Sequence, residues 1–206
     1  MKTYGMIPSI IDGTEDIFNE PKNIGLPKQF SYKKYLPEVI DQGTYPICVP
    51  CSLSAYINWD LNLKDGKEND NEINLFDIFD SRSTEDDSGM TFKDALKYLQ
   101  KQGVKTNRGV VKIGRYAKVN SLFALKYALI LNGPCIGGLP VYNSAITDFW
   151  KNYSGNFEGL HAICIVGYTE DGFIIRNSWG ESYGEDGYAF IKNEDANLFT
   201  EIWTIV

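Results

Sequence analysis

The chain has a single histidine, His161, among 206 residues. Any chemistry that needs an imidazole near neutral pH is confined to that side chain. Cysteine is sparse as well: there are four, Cys48, Cys51, Cys135 and Cys164. Only Cys48 and Cys51 stand in a CxxC spacing, whereas a structural zinc site of that type takes two such pairs, so no metal is expected. Cys135 and Cys164 lie in apolar runs, where a free thiol behaves as a small hydrophobe. No run approaches the ~18 consecutive apolar residues of a membrane span. Residues 1–11 hold one lysine and no long apolar core, so a signal peptide is not expected. Reduced thiols in a cytoplasmic or otherwise reducing compartment follow. Basic residues are the minority, 20 against 27 acidic, for a net charge of −7. That balance speaks against nucleic acid or an anionic membrane as partner and fits a soluble monomer.

What is present is a globular composition, 43% hydrophobic and 14% aromatic, long enough for one domain or one domain of two lobes. Pro8, Pro21, Pro27 and Pro37 break up residues 1–40, which read as an extended arm with short strands. Residues 41–50 are rich in turn formers. Leu53, Tyr56, Ile57, Trp59 and Leu61 predict a buried helix over 51–63, with Pro50 in its first turn. Residues 64–74 read as a surface loop and 75–79 as a short helix. Phe92, Ala95, Leu96 and Leu99 form a helical stripe behind the cap residue Thr91, stopped near Gly103. Residues 121–132 predict another helix. Beyond it, 135–142, 162–168, 172–176, 187–191 and 202–206 read as strands between glycine-rich and acidic turns. Helices in the first half and strands in the second make an α+β fold.

His161 opens the apolar run Ala162–Tyr168, and Asn177-Ser178-Trp179-Gly180 follows downstream. Far upstream, Cys51 follows Asp41-Gln42-Gly43. A thiol reacts as its thiolate, and a helix start and an imidazolium both favour that anion. Cys51 at the expected helix start is therefore the candidate nucleophile, and His161 the candidate base. The Asn177 carbonyl is suited to orient the imidazole, and Trp179 to shield that bond from water. The Gln42 amide and the Cys51 backbone N–H are candidate donors to an oxyanion. Cys48 is read as structural or incidental.

Asp41-Gln42-Gly43…Cys51-Ser52, His161–Tyr168, and Asn177-Ser178-Trp179-Gly180 with Tyr183-Gly184-Glu185-Asp186-Gly187-Tyr188 resemble the papain-like cysteine peptidases. The likeness runs from about Tyr32 to the C-terminus, and the asparagine motif is its most specific part. Tyr4-Gly5-Met6-Ile7-Pro8 is similar to a prokaryotic branch without the long propeptide. The resemblance implies a single two-lobed peptidase domain over 1–206. Its parts are an N-terminal arm (1–31), a mainly helical lobe (32–120) and a mainly β, barrel-like lobe (121–206), with a cleft between the lobes. It implies hydrolysis of polypeptides through a thioester acyl-enzyme, without cofactor. It also implies that Gly89 and Met90 line the substrate, Met90 facing an apolar side chain.

The likeness has departures. Three extra residues separate Gln42 from Cys51 relative to the usual spacing. Cys51 and His161 stand 110 residues apart, against about 130–150 in papain and the cathepsins. Pro50 and Ser52 replace the usual neighbours of the nucleophile. These departures keep two alternatives open: an inactive binding or structural module of the same fold, and a thiol acyltransferase or peptidoglycan endopeptidase.

Overall fold

In the computed structural model, which describes residues 3–22, 24–65, 72–83, 88–153 and 155–206, the chain begins extended, as its prolines dictate. Among the described residues, the short strands β1 (Met6–Ile7) and β2 (Phe30–Ser31) and a 3-10 turn at Lys33–Tyr35 interrupt the arm and its continuation. The first long helix, α1 (Cys48–Asp65), opens three residues before the expected start. First-turn residues have no i−4 carbonyl to donate to, so proline is tolerated throughout that turn and does not mark its first position. The Cys51 N–H donates to Ile47 O at 3.0 Å, across the turn that contains Pro50. The expected loop over 64–74 falls largely on residues 66–71, which lie outside the described residues.

The short helix α2 (Leu75–Phe79) and strand β3 (Met90–Thr91) lead into α3 (Phe92–Lys101). The predicted stripe Phe92, Ala95, Leu96 and Leu99 is fully buried, and Thr91 Oγ1 accepts the Asp94 N–H at 3.0 Å. A hairpin of β4 (Val104–Thr106) and β5 (Gly109–Val111) and the strand β6 (Tyr116–Lys118) follow. Ser121 caps α4 (Leu122–Asn132) by accepting the Ala124 N–H at 3.0 Å. The rest is strand: β7 (Cys135–Val141), β8 (Gly159–Tyr168), β9 (Gly172–Arg176), β10 (Tyr188–Lys192) and β11 (Ile202–Ile205).

These strands form one antiparallel sheet in the order β10-β9-β8-β7-β11-β6, with β2 added on β8. The sheet stays open, with β10 and β6 at the two ends of that path, so no closed barrel forms. β8 begins earlier than expected, at Gly159, which places His161 inside the strand and opposite Leu139 of β7. One apolar core gathers α4 and the sheet around Phe149, Trp150, Phe173 and Trp179. A second gathers α1, α2 and α3 with Ile136, Ala162 and Trp203 of the sheet. Among the described residues no helix is long and apolar enough to cross a membrane.

The arm is bound along the body. Tyr4 donates its hydroxyl to Glu158 Oε2 at 2.7 Å, and the Ser9 N–H donates to Glu201 Oε1 at 2.9 Å. β1 lies parallel to β3, Met6 opposite Met90. Lys93 of α3 donates to Ile10 O at 2.9 Å and to Glu15 Oε1 at 2.5 Å, and stands 3.7 Å from Asp12 Oδ2. Further on, Lys118 donates its N–H to Asp16 O, and the Phe18 N–H donates to Lys118 O.

The arm's carboxylates make its docking acid-sensitive. The Thr14 hydroxyl and N–H hold the Asp12 carboxyl down to about 2, and the Lys93 ammonium holds Glu15 below its usual range. A depressed carboxyl stabilises the docked state fully above its undocked pKa and loses that contribution as pH falls through the docked one. Amide exchange at residues 9–15 is expected to stay slow at pH 5 and to accelerate as pH falls below the usual carboxylate range and Glu15 releases Lys93. Exchange unchanged over that fall in pH, after correction for its intrinsic acid dependence, would contradict the latch. Separately, Ser121→Ala should lower the unfolding free energy in urea by about 1 kcal/mol, with Ser121→Asp close to the parent.

Candidate active site

The lone imidazole is fixed on every face. His161 Nε2 lies 2.7 Å from Asn177 Oδ1. An amide oxygen only accepts, so this bond needs the proton on Nε2 and makes Nδ1 the basic nitrogen of the neutral ring. Asn177, just past β9, is itself held: its N–H donates to Gly187 O at 3.0 Å, and its Oδ1 also accepts the Ser178 N–H at 2.8 Å. The Trp179 indole stacks on the imidazole with centroids 4.6 Å apart and planes 28° apart. Phe149 meets the ring edge-on at 5.6 Å, and His161 is fully buried. Exclusion of water strengthens the His161–Asn177 bond.

Gln42 is tied to the same turn. Its N–H donates to Ser178 O at 2.9 Å, and its Oε1 accepts the Ser178 hydroxyl at 2.5 Å. That fixes the amide so that Nε2 donates to Tyr45 O at 2.9 Å and to Thr3 O at 3.1 Å. The second acceptor is a peptide carbonyl of the arm.

The two cysteines of α1 are placed differently. Cys48 stands at the head of the helix and is fully buried. Burial pushes its thiol up to about 11, against the pull of the backbone N–H groups of Ala162, Gly5, Val49 and Cys48 itself. Cys51 lies one turn further in, its thiol pushed up by burial and by the neighbouring Cys48. Its backbone N–H is spent on Ile47 O. The expectation that Cys51 heads the helix with a free N–H is therefore corrected. It is Cys48 whose thiol meets Ala162, the residue after His161. Counted to Cys48, the three-residue surplus after Gln42 disappears.

Gly89 and Met90 lie against the arm. The Met90 N–H donates to Gly5 O at 2.9 Å. A Cβ at Gly89 would run into the Gly5 carbonyl, and one at Gly5 into the Pro46 carbonyl, so the arm's backbone threads a slot that admits only glycine. Met6 beyond it is buried with Met90, Cys48, Ala162 and Ile136. Gly138 leaves room for Met6, since a Cβ there would strike its sulfur. Tyr4 packs edge-on to the His161 ring, with centroids 6.3 Å apart. A polypeptide segment, Thr3 to Met6, thus lies across Gln42, Cys48 and His161. Tyr4-Gly5-Met6-Ile7-Pro8 stands out in the sequence as a motif, but no periodicity in it signals where it docks.

The chain is similar in sequence and in fold to known cysteine proteases. The family model described as papain family cysteine protease matches residues 64–202, a stretch that holds His161 and Asn177 and starts after Cys48 and Cys51. An uncharacterized peptidase C1-like protein of Acanthamoeba polyphaga mimivirus is 27% identical over 98% of this chain and 77% of its own length. A cathepsin B-like cysteine proteinase of Ostertagia ostertagi is 30% identical, but over only 35% of this chain and 24% of that relative. Among solved structures, xylellain, a cysteine protease from Xylella fastidiosa, superposes with a TM-score of 0.85 at 25% identity, covering 99% of this chain and 96% of that one. The α+β architecture is the papain-like fold, and the chain belongs to the papain family of cysteine proteases.

Proposed function

We propose that the protein hydrolyses peptide bonds with Cys48, not Cys51, as nucleophile, His161 as base and acid, Asn177 as the residue that orients His161, and Gln42 as oxyanion donor. The observation that carries the reading is the arm itself. Its peptide backbone crosses the head of α1 beside the imidazole, and Gln42 Nε2 donates to one of its carbonyls. A substrate peptide in the same slot presents its carbonyl to the same donor.

Cys48 gives its proton to His161 Nδ1, and the thiolate attacks the scissile carbonyl carbon. The oxyanion accepts from Gln42 Nε2 and from the first-turn N–H of Cys48, for which the helix offers no i−4 carbonyl. The tetrahedral adduct collapses to a thioester as His161 protonates the leaving amine. Water, deprotonated by the same imidazole, then releases the acid and regenerates the thiol. With one histidine in the chain, both proton transfers pass through one ring. Gly89 and Met90 hold the substrate backbone and an apolar side chain, the place Met6 fills in the docked state. Trp179 keeps water off the His161–Asn177 bond.

The docked arm makes the folded chain a closed form. It excludes peptide from the slot, and burial holds the Cys48 thiol neutral. Residues 1–31 therefore act as an arm upon a peptidase body formed by residues 32–206.

Cys48→Ala should lower hydrolysis of a dipeptidyl fluorogenic substrate by about 10,000-fold or more, while Cys51→Ala stays near the parent. His161→Ala should cost about 100-fold or more and abolish the single imidazole limb of the pH–rate profile. Retained activity in Cys48→Ala, with loss in Cys51→Ala, would return the role to Cys51. Removing residues 1–8 should speed both turnover and alkylation of Cys48 by iodoacetamide; equal rates with and without the arm would refute the closed form.

A further inference from the structure

Cys51 has no part in the chemistry above, yet it stands three residues after the nucleophile, where the first turn of α1 closes on Ile47 O. Positions i and i+3 lie side by side on a helix surface. At a rise of 1.5 Å per residue and 3.6 residues per turn their Cα atoms are about 5 Å apart. A disulfide spans Cα separations of about 4.4–6.8 Å, so the bond needs only a small adjustment of the turn. That adjustment is easiest at this end of the helix. Residues 48–50 have no i−4 acceptors, and Pro50 has no N–H to lose. Both thiols are reduced and sit in one apolar cluster. They are also close enough that charge on Cys48 disfavours charge on Cys51. Cys135 and Cys164 lie instead in β7 and β8, where the backbone is held by neighbouring strands.

We propose that Cys51 is the resolving partner of Cys48. A hydroperoxide that oxidises the nucleophile leads to a Cys48–Cys51 disulfide, which switches hydrolysis off until a thiol reductant reopens it. The inference rests on the reading of Cys48 as nucleophile.

Each step balances. The Cys48 thiolate attacks one peroxide oxygen, the O–O bond breaks, and Cys48 sulfenic acid forms with release of hydroxide (or alkoxide from an organic peroxide). The Cys51 sulfur then attacks the Cys48 sulfur. The sulfenic oxygen leaves as water with the Cys51 proton, and the disulfide forms. Two equivalents of a small thiol reduce it to the two cysteines and are themselves oxidised to a disulfide. A neighbouring thiol traps the sulfenic acid before a second oxidation, which would otherwise give the irreversible sulfinic acid. Oxidant reaches Cys48 when the arm has left the slot and no peptide fills it.

The test exposes the full chain, its Cys51→Ala and Cys51→Ser variants, and Cys48→Ala to hydrogen peroxide, followed by dithiothreitol. Intact mass, a peptide map and peptide hydrolysis are read at each stage. The parent should lose about 2 Da, the two hydrogens of a disulfide mapped to residues 48 and 51, together with its activity, and regain both on reduction. The Cys51 variants should hydrolyse peptide before oxidation, then gain about 32 Da at Cys48 and lose activity that dithiothreitol does not restore. A parent that shows no loss of about 2 Da, or that recovers no better than the Cys51 variants, overturns the switch. An untreated Cys48→Ala that cleaves peptide overturns the nucleophile reading instead, so the two failures are told apart. Agreement between the two Cys51 variants separates loss of the resolving thiol from a packing defect.

Discussion

The first turn of α1 rests on β8 where Ala162 follows His161, and this contact sets the distance between the thiol and the imidazole. α1 is oriented by its apolar side, buried among α2, α3 and the sheet, while β8 is fixed by β7 and β9 on its flanks. Neither partner has freedom of its own. A shift of β8 by one residue would turn His161 to the opposite face of the sheet, because side chains alternate along a strand. The register Leu139↔His161 is thus as much a part of the site as the imidazole. Asn177 is set by the same framework, since β9 pairs with β8 and delivers the turn that follows it.

The peptide that fills the slot is the chain's own. Its fit uses features that a surface segment would not need: glycine at position 5 against the Pro46 carbonyl, glycine at position 89 against Gly5, and glycine at position 138 beneath Met6. Close backbone approach is one of the few reasons for a chain to bear the entropic cost of glycine. The hydrogen bonds of this segment run to polar groups that would otherwise face the open cleft, among them Gln42 Nε2 and the Met90 N–H. Docking therefore satisfies donors as well as burying Met6. Farther along, Lys93 binds both a backbone carbonyl and carboxylates of the arm, which adds a charge-dependent hold to a backbone-dependent one.

Much of this was legible in the chain. The stripe that became α3, with Thr91 as its cap, and the helix expected over 121–132 are local patterns with local causes, and they fell within about a residue of place. The five long strands carried enough apolar residues to stand out. β4, β5 and β6 are three residues each, too short for a period to show, and their pairing partners are set by tertiary packing. The imidazole, its asparagine and the indole above it were recognisable because they occupy two short motifs. The cysteine was not. Pro50 is compatible with a helix that starts at 51, but proline is equally tolerated at the third position of a first turn, where the structure has it. The count from Gln42 points to Cys48 instead, because it measures a loop that must span a fixed gap. The arm's destination was illegible for a different reason. It depends on a slot made by residues far apart in the chain, and an extended segment carries little of its own pattern to announce a partner.

Having a single histidine binds these parts together. In the proposed mechanism the same ring accepts the thiol proton, returns it to the leaving amine and then activates water, so its tautomer cannot be left to chance. Asn177 fixes it by accepting from Nε2, and Ser178 fixes Asn177 in turn. Ser178 also holds Gln42 through its hydroxyl, so the proposed orienting residue and the proposed oxyanion donor hang from consecutive positions of one turn. A distortion there disturbs proton transfer and oxyanion binding together, and the effects of substitutions at Asn177, Ser178 and Gln42 are not additive. The stacked indole resists that distortion. Trp179 is almost wholly buried between His161, Phe149 and Tyr183, and it cannot move without opening the apolar core around Phe149, Trp150 and Phe173. The chemistry of the one imidazole is in this way tied to the stability of the sheet that carries it.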